Sequence, residues 1–379
     1  MGEKKKLVVI SLMEGLPWGG SEELWFKTAV YALKSEVNVY VFLKKWPEDH
    51  ENVNYLKKLG ARIFFLPNSS LPKLNFFQKI FQKKSFSFDQ KIKNLKLSYS
   101  DMVLINQGDT FSAFNSPIFR QIMHFNKSVC LISQHLSDNE TINENLKNQA
   151  NEYLCRINKF CFVSKRSLEL TKKLLSSNGA NFHLVNNPVK LKEKKVIKYP
   201  VSETPSFAVV ARLDCKYKGQ DLLLQVLSQD KWKLRDWECK LYGTGKDRNY
   251  LNNLIIKYDL IKKVKLKGYC DSVEKIWSEN HIMISPSISE GTPLSLVEAH
   301  LCGRAAIAND VGGISEVLID GVTGWLAASP SIKNIDIAME RAWKNKDNWK
   351  KVGEEAFEYT LKRYSVDAGE ELYDLIFNE

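Results

Sequence analysis

The sequence predicts an α/β protein built from two doubly wound, parallel-stranded domains. Short apolar runs alternate with amphipathic helical patterns along nearly the whole chain, as in parallel sheets covered by helices. This alternation occurs in two series, separated at residues 191–205 by a charged segment that has two prolines and lacks an apolar face. The length of 379 residues also suits two domains.

The first series predicts strands at Leu7–Ser11, Val37–Leu43, Arg62–Leu66, Met102–Ile105, Val129–Ile132, Phe160–Val163 and His183–Val185. Helices are predicted between several of them, including Glu22–Leu33 and Lys165–Leu175. A signal peptide is a competing interpretation of the charged and then apolar N-terminus. Because the apolar run is short and is followed by Glu14 and Pro17, we interpret it as the first strand of a cytoplasmic protein.

The second series predicts strands at Phe207–Val210, Cys239–Tyr242, Val264–Lys267, His281–Ser285, Ala305–Ala308 and Trp325–Ala327. The predicted helices include Gly219–Leu227, Asp247–Tyr258, Pro293–Leu301 and Ile314–Leu318. Ligands of open α/β sheets bind at the C-terminal ends of the strands. We therefore expect the chemistry to lie in a cleft where the two domains face each other.

The most informative segment is a strand, turn and helix that carries two carboxylates, Glu290 and Glu298. Thr292 is suited to cap the helix and Pro293 to begin its first turn. Because helical side chains lean toward the N-terminus, Glu298 should point toward the loop that holds Glu290. Free N–H groups at this helix start attract phosphate. An ordinary surface helix with two solvated glutamates is the alternative, but the agreement of strand, turn and capped helix favours a site.

Cations and glycines follow other predicted strands. Arg212 and Lys218 come after the first strand of the second series, where they suit a diphosphate, although two solvated charges in a loop would look the same. Gly19 and Gly20 precede a helix that Ser21 is suited to cap, so backbone there can approach an anion closely. His135 lies just past a strand, which favours the cleft over a structural role.

The charge distribution is uneven. Residues 1–190 hold 27 Lys and Arg against 16 Asp and Glu, a difference of +11, whereas residues 191–379 hold 28 of each. Residues 71–96 mix seven lysines with five phenylalanines and one acid, a composition typical of a segment that lies on an anionic membrane. A solvated helix whose phenylalanines face the core is the alternative. No nucleic-acid motif accompanies the charge, which disfavours nucleic-acid binding. The seven cysteines are scattered and none forms a CxxC pair, so we predict free thiols rather than metal ligands.

Taken together, these segments resemble the family 4 retaining glycosyltransferases of the GT-B fold, which have two Rossmann-like domains facing across a cleft. The resemblance runs in order through GGSE, SQH, FVSKR, NNPV, ARLD with KG, YGTG, LKGY, the Glu290/Glu298 segment and DGVTGWL. It implies an acceptor-side domain at 1–190 and a nucleotide-sugar-binding domain at 191–365. A helix at about 366–379 is a candidate to cross back onto the first domain.

The resemblance also implies roles for the residues. Glu298 would hold the donor ribose, Arg212 and Lys218 the diphosphate, and the backbone of Gly291, Thr292, Pro293 and Leu294 the sugar and phosphate. Gly19 and Gly20 would lie against the donor phosphate. Glu290 and His135 would contact the sugar as the catalytic pair.

The expected reaction is transfer of a sugar from a nucleotide sugar to a glycan or lipid-linked acceptor, with retention. A UDP-sugar is the first expectation for the donor, although uracil, guanine and adenine all stay open. No Asp-x-Asp pair occurs in the chain, so the expectation is that no metal or other cofactor is needed. A nucleotide-sugar 2-epimerase and a non-catalytic scaffold are the alternatives, whereas a missing third glycine, replaced by Arg248, disfavours a nicotinamide enzyme.

Overall fold

The strands of the chain form two separate parallel sheets. The structure is a computed structural model that describes residues 4–13, 17–66, 88–125, 128–364 and 366–378. The chain divides into unit 1, Met1–Pro188 with Val366–Glu379, and unit 2, Val189–Ser365. Most of the basic segment 71–96 lies outside the described residues.

Unit 1 contains a parallel sheet in the spatial order β3-β2-β1-β4-β5-β6-β7. Its strands are β1 Lys6–Ser11, β2 Asn38–Leu43, β3 Arg62–Phe65, β4 Met102–Asp109, β5 Val129–His135, β6 Lys159–Phe162 and β7 Phe182–Leu184. Its helices are α1 Glu23–Lys34, α2 Glu51–Lys58, α3 Phe88–Asn94, α4 Pro117–Phe125, α5 Glu144–Leu154 and α6 Lys165–Leu175. The side chains of β1 alternate between two cores, which is why the strand is apolar throughout.

Unit 2 contains a second parallel sheet in the order β10-β9-β8-β11-β12-β13. Its strands are β8 Ser206–Val210, β9 Glu238–Tyr242, β10 Val264–Gly268, β11 Ile282–Ser285, β12 Ala306–Asn309 and β13 Gly324–Ala327. Its helices are α7 Cys215–Lys218, α8 Gln220–Leu227, α9 Asp230–Lys233, α10 Arg248–Lys257, α11 Val273–Ser278, α12 Leu294–Leu301, α13 Ile332–Lys344 and α14 Trp349–Arg363. Both sheets therefore have the doubly wound strand order that the alternating pattern predicts.

The last helix, α15 Ala368–Phe377, packs on α1 of unit 1. Asp367 caps it by accepting hydrogen bonds from the backbone N–H groups of Gly369 and Glu370. A methyl group on Gly369 would come within 2.6 Å of Lys27, so the two helices touch closely at this point. Within the described residues, no helix has the length and apolar character needed to cross a membrane.

Three local predictions are wrong. Segment 191–205 does have apolar contacts, because Leu191, Ile197 and Tyr199 pack on the cores of unit 2. The predicted helix at 314–318 is a short 3₁₀ turn, Ile314–Glu316. His135 is the last residue of β5 rather than a loop residue, since β5 and β4 extend beyond their predicted ends to pair there.

Candidate functional site

In unit 2 the first strand, β8, lies in the middle of the sheet, with β9 and β10 on one side and β11 to β13 on the other. Strands β8 and β11 are neighbours, with Ile282 opposite Phe207, yet the chain leaves β8 toward β9 on the other side. The connections that follow β8 and β11 therefore lead to strands on opposite sides of this pair, and such a switch point is where open α/β sheets bind ligands. The first loop carries Arg212 and Lys218, and the second carries Glu290.

The structure brings Lys218 and Glu290 together. Lys218 Nζ donates to Glu290 Oε1 at 2.5 Å, and the two side chains are only 20% and 10% exposed. The backbones also meet, because the Ile288 N–H donates to the carbonyl of Tyr217 at 2.8 Å. The sequence predicts that both residues bind the donor, but their direct ion pair is a finding of the structure.

A glycine permits this approach of the two loops. Gly219 has φ +58°, and a methyl group there would lie 2.1 Å from the carbonyl oxygen of Pro286. Any other L residue would both strain the backbone and push the loops apart. Gly219 precedes the helix rather than beginning it, since α8 starts at Gln220. It therefore fixes the position of Lys218 directly before it.

Arg212 lies in a second charge cluster beside the first. Its side chain is 41% exposed, and its Nη2 lies 3.5 Å from Asp214 Oδ2. The other oxygen of Asp214 lies 3.3 Å from Lys246 Nζ. Neither Asp214 nor Lys246 was assigned from the sequence, although Lys246 directly follows the Gly-Thr-Gly turn. Arg212 and Lys246 thus present two cations at this end of the sheet, held by one buried carboxylate.

Helix α12 begins directly after the loop of Glu290. Its N-cap residue is Pro293, with no side-chain capping hydrogen bond, so the prediction that Thr292 caps the helix is wrong. Proline has no side-chain acceptor to offer the first-turn N–H groups, which suits a site for an external anion. Leu294 is the first helical residue and is half-buried.

Glu298 is buried in the second turn of α12. One of its oxygens accepts the backbone N–H of Lys190 at 2.9 Å, so the carboxylate is tied to the first residues of unit 2. The backbone of Glu290 packs closely on Gly312, since a methyl group on Gly312 would lie 2.0 Å from the carbonyl oxygen of Glu290. Gly312 has φ +53°, and the next residue, Gly313, donates to the carbonyl of Gly291 at 2.6 Å. The two glutamates are thus fixed by separate backbone contacts.

A buried histidine on α12 was missed by the sequence analysis. His300 lies 3.2 Å through Nδ1 from Thr360 Oγ1 of α14, and its Nε2 has no partner among the described residues. Complete burial disfavours the imidazolium and lowers the pKa of His300 to about 3. This side chain therefore belongs to the core beneath the site and stays neutral near pH 7.

Unit 1 has its own switch point between β1 and β4, and Gly19 and Gly20 follow β1 there. The predicted cap by Ser21 is wrong, because a 3₁₀ turn at Gly20–Glu22 precedes α1 and no side chain caps either element. Glu22, which was not singled out, is buried in the turn and accepts hydrogen bonds from Ser11 Oγ at 2.9 Å and from Trp25 Nε1. Burial raises the pKa of Glu22 above its usual value.

His135 ends β5 opposite Asp109 and is half-buried. Its backbone carbonyl accepts hydrogen bonds from both the N–H and the hydroxyl of Thr110, each at 3.0 Å. These contacts fix the backbone of His135 at the C-terminal edge of the sheet. In the described parts of both units, no group of three or more His, Cys, Asp or Glu side chains is arranged to hold a metal ion.

Parts of the chain resemble known proteins in sequence, and the whole chain resembles solved structures in fold. Residues 192–359 match the family model described as "Glycosyl transferases group 1". One of the subunits of human phosphatidylinositol N-acetylglucosaminyltransferase is 28% identical over 191 residues, 50% of this chain and 39% of that protein. The GtfA subunit of a UDP-N-acetylglucosamine–peptide N-acetylglucosaminyltransferase from Streptococcus pneumoniae is 24% identical over 271 residues, 68% of this chain and 52% of that protein.

This chain thus spans about two fifths to one half of the length of these two relatives. Among solved structures, Anabaena Alr3699/HepE in complex with UDP superposes with a TM-score of 0.71 at 16% identity, covering 99% of this chain and 100% of that one. This likeness and the two parallel sheets confirm the predicted GT-B fold class. The region 192–359, most of unit 2, is thus similar to the group 1 glycosyl transferases.

Proposed function

We propose that the protein transfers a sugar from a nucleotide sugar to a glycan or lipid-linked acceptor. The observation that carries this proposal is the Lys218–Glu290 pair at the switch point of unit 2, directly before a helix without a side-chain cap. It combines a cation for a diphosphate, a carboxylate for sugar hydroxyls and backbone N–H groups for phosphate. The two named relatives are both transferases, which favours transfer over the epimerase and scaffold alternatives.

In this proposal Lys218 exchanges partners when the donor binds. A diphosphate carries more negative charge than the single carboxylate of Glu290, so it attracts Lys218 and Arg212 more strongly. Glu290 is then available to accept hydrogen bonds from the sugar, and Glu298, held by Lys190, accepts those of the ribose. The backbone from Gly291 to Leu294 takes up the phosphate.

Leaving-group charge is met in this proposal by cations and helix N–H groups, without a metal or other cofactor. The departing β-phosphate accepts the proton of the acceptor hydroxyl on the same face of the sugar, so the anomeric configuration is retained. For unit 1 we keep the predicted roles of Gly19 and Gly20 toward the phosphate and of His135 toward the sugar. The proposed donor is a UDP-sugar, supported by the name of the pneumococcal relative and by the UDP complex above.

The proposed place of action is the cytoplasmic face of a membrane, in the synthesis of cell-surface polysaccharide or glycolipid. Support comes from the excess of +11 charges in residues 1–190 and from the mixed lysine and phenylalanine of 71–96. Co-sedimentation with phosphatidylglycerol vesicles at low salt should exceed that with neutral vesicles and should fade as salt rises. Equal binding to both kinds of vesicle, or none to either, would favour a soluble acceptor.

The transfer itself is tested by UDP release from UDP-N-acetylglucosamine and related UDP-sugars, with and without a panel of lipid-linked and free glycan acceptors. The expected result is acceptor-dependent release that persists in EDTA, with a retained anomeric centre in the product by NMR. Conversion of the donor sugar without UDP release would establish the epimerase instead. Activity that is lost in EDTA and restored by Mn²⁺ would refute metal independence, and an inverted product would refute retention.

A further inference from the structure

Four buried polar side chains of unit 1 form one continuous hydrogen-bonded chain at the C-terminal end of its sheet. Asn106 Nδ2 donates to Glu22 at 3.2 Å, Gln134 Nε2 donates to Asn106 Oδ1 at 3.0 Å, and Asn187 Nδ2 donates to Gln134 Oε1 at 2.8 Å. None of the four residues is more than 8% exposed. The chain joins the ends of β4 and β5 to the turn after β1 and to the residues after β7.

In each hydrogen bond among these four side chains, the donor points toward Glu22. The carboxylate also accepts Ser11 Oγ and Trp25 Nε1, so each group that faces it is a donor. An ionised carboxylate is an acceptor only and satisfies them all, whereas an amide would set a donor against a donor. Asn106 Nδ2 also reaches the carbonyl of Ser21 at 3.1 Å, so the chain holds the backbone of the turn after Gly19 and Gly20.

The same strand pair carries a second buried carboxylate at its opposite end, which gives a natural comparison. Asp101 precedes β4 and accepts the N–H groups of Lys6 and Ser98, each at 2.7 Å, with Lys6 Nζ at 3.9 Å as its cation. Among the described residues, no cation lies within ion-pair distance of Glu22. Burying a carboxylate without a cation is costly, and groups kept at such a cost are often functional rather than stabilising.

We propose that Glu22 is a positioning residue for the donor phosphate. Through Asn106 and the carbonyl of Ser21 it fixes the turn so that the backbone of Gly19 and Gly20 is preorganised for the phosphate. Through Gln134 the same chain fixes the residue before His135. Both predicted donor-facing parts of unit 1 therefore depend on one carboxylate. This inference rests on the proposed function, because the phosphate at Gly19 and Gly20 belongs to that proposal.

The test is amide hydrogen exchange of the full-length protein with and without UDP, read in a peptide that contains Gly19 and Gly20 and in one that contains Glu290. The variants are Glu22→Gln, which keeps the size and removes the charge, and Asp101→Asn as the matched control. In the wild type and in Asp101→Asn, UDP should protect both peptides. In Glu22→Gln, UDP should protect only the Glu290 peptide, and kcat/KM for the UDP-sugar should fall at least about tenfold, a loss near 1.4 kcal/mol.

The pattern of outcomes separates the two proposals. Protection of both peptides in Glu22→Gln, or equal losses of activity in both variants, would overturn the positioning role while leaving the transferase proposal intact. No protection of either peptide in the wild type would overturn the nucleotide site and, with it, this inference. If Glu22→Gln does not fold, Ser11→Ala removes one donor and keeps the carboxylate. It should weaken protection at Gly19 and Gly20 alone, and full protection there would overturn the inference.

Discussion

At the switch point of unit 1, one carboxylate is surrounded by uncharged donors, whereas at the switch point of unit 2 a carboxylate is paired with a lysine beside two more cations. Glu22 faces Ser11, Trp25 and Asn106, while Glu290 faces Lys218. A network of one carboxylate and uncharged donors can fix the backbone, but without a cation it cannot neutralise the charge of a phosphate. The paired ions can exchange partners with one. In our proposals, the same position in two similar sheets therefore orients the donor in one unit and binds its charge in the other.

The largest expected effect comes from the carboxylate of unit 2. Glu290→Gln should lower kcat about 100-fold or more, because in our proposal its carboxylate makes a charged contact with the sugar that is strongest in the transition state. The Kd for UDP should stay similar or fall slightly, since Lys218 loses a competing carboxylate. Steady-state kinetics measure kcat, and calorimetry with UDP measures the Kd.

The control for this variant is Glu340→Gln on α13. Glu340 pairs with Arg235 at 2.9 Å, with side chains 21% and 24% exposed, so it is a comparable ion pair of unit 2 outside the proposed site. Its activity should equal that of the wild type. Equal losses in both variants would mean that Glu290 acts only through stability.

The contact between the two loops of unit 2 can be broken by a single methyl group. Gly219→Ala should lower the free energy of unfolding by about 3 kcal/mol, because it adds a clash with Pro286 to a positive φ. Gly321→Ala is the control, since it has φ +76° with no atom within 4 Å of the added carbon and should cost only about 1 kcal/mol. Urea titrations of both variants measure the loss in the free energy of unfolding. Equal losses would show that the two loops can move apart to accommodate the methyl group at little cost.

The cations of unit 2 should differ in importance. Lys218→Ala should raise the Kd for UDP by about 10- to 150-fold, the effect of losing one charge-assisted contact. Arg212→Ala should act in the same direction but less, because its more exposed side chain is better screened by solvent. Lys231→Ala, which breaks a 2.5 Å pair with Asp336, is the control and should leave the Kd unchanged. A larger effect for Arg212 than for Lys218 would reverse the assignment.

The smallest expected effect concerns pH. The pKa of His300 is about 3 in the folded protein and about 6.5 when unfolded, so only the unfolded state gains a proton between these values. Its contribution to stability is fully present above pH 6.5 and is lost as pH falls, by about 2 kcal/mol at pH 5. Urea titrations at pH 7.5 and pH 5 should show a smaller loss in His300→Asn than in the wild type. The control His124→Asn, at an exposed position of α4, should keep the full loss.

Strand positions were predictable because burial on both faces gives continuous apolar runs, and the observed bounds mostly differ by one or two residues. The ends of elements were less predictable. Thr292 and Ser21 had the chemistry of caps, but Pro293 and a 3₁₀ turn take those positions, since tertiary packing decides a helix start as much as residue type does. Lys218 and Glu290 could be assigned to one site, but their pairing depends on how closely two loops approach.

For other residues, the sequence shows a motif but does not reveal the contacts that the residue makes in the fold. Glu22 stands in GGSE and Asn187 in NNPV, yet the hydrogen bonds that join them pass through Asn106 and Gln134, far away in sequence. Arg304 is a stronger case, because a single arginine in a loop is normally exposed. It is fully buried and donates to backbone carbonyls, including those of Ile197 and Lys198, which anchors the charged segment 191–205 between the two series of strands.

The position of α15 has a consequence for how the protein is made. Unit 2 is continuous in sequence, whereas unit 1 is completed by residues that follow all of unit 2. During synthesis the sheet of unit 1 is present early, but the face of α1 that carries Tyr31 stays uncovered until Glu370 and its helix leave the ribosome. For that interval a newly made chain exposes an apolar helix face to the cell. Chaperone binding and degradation should therefore act mainly on unit 1.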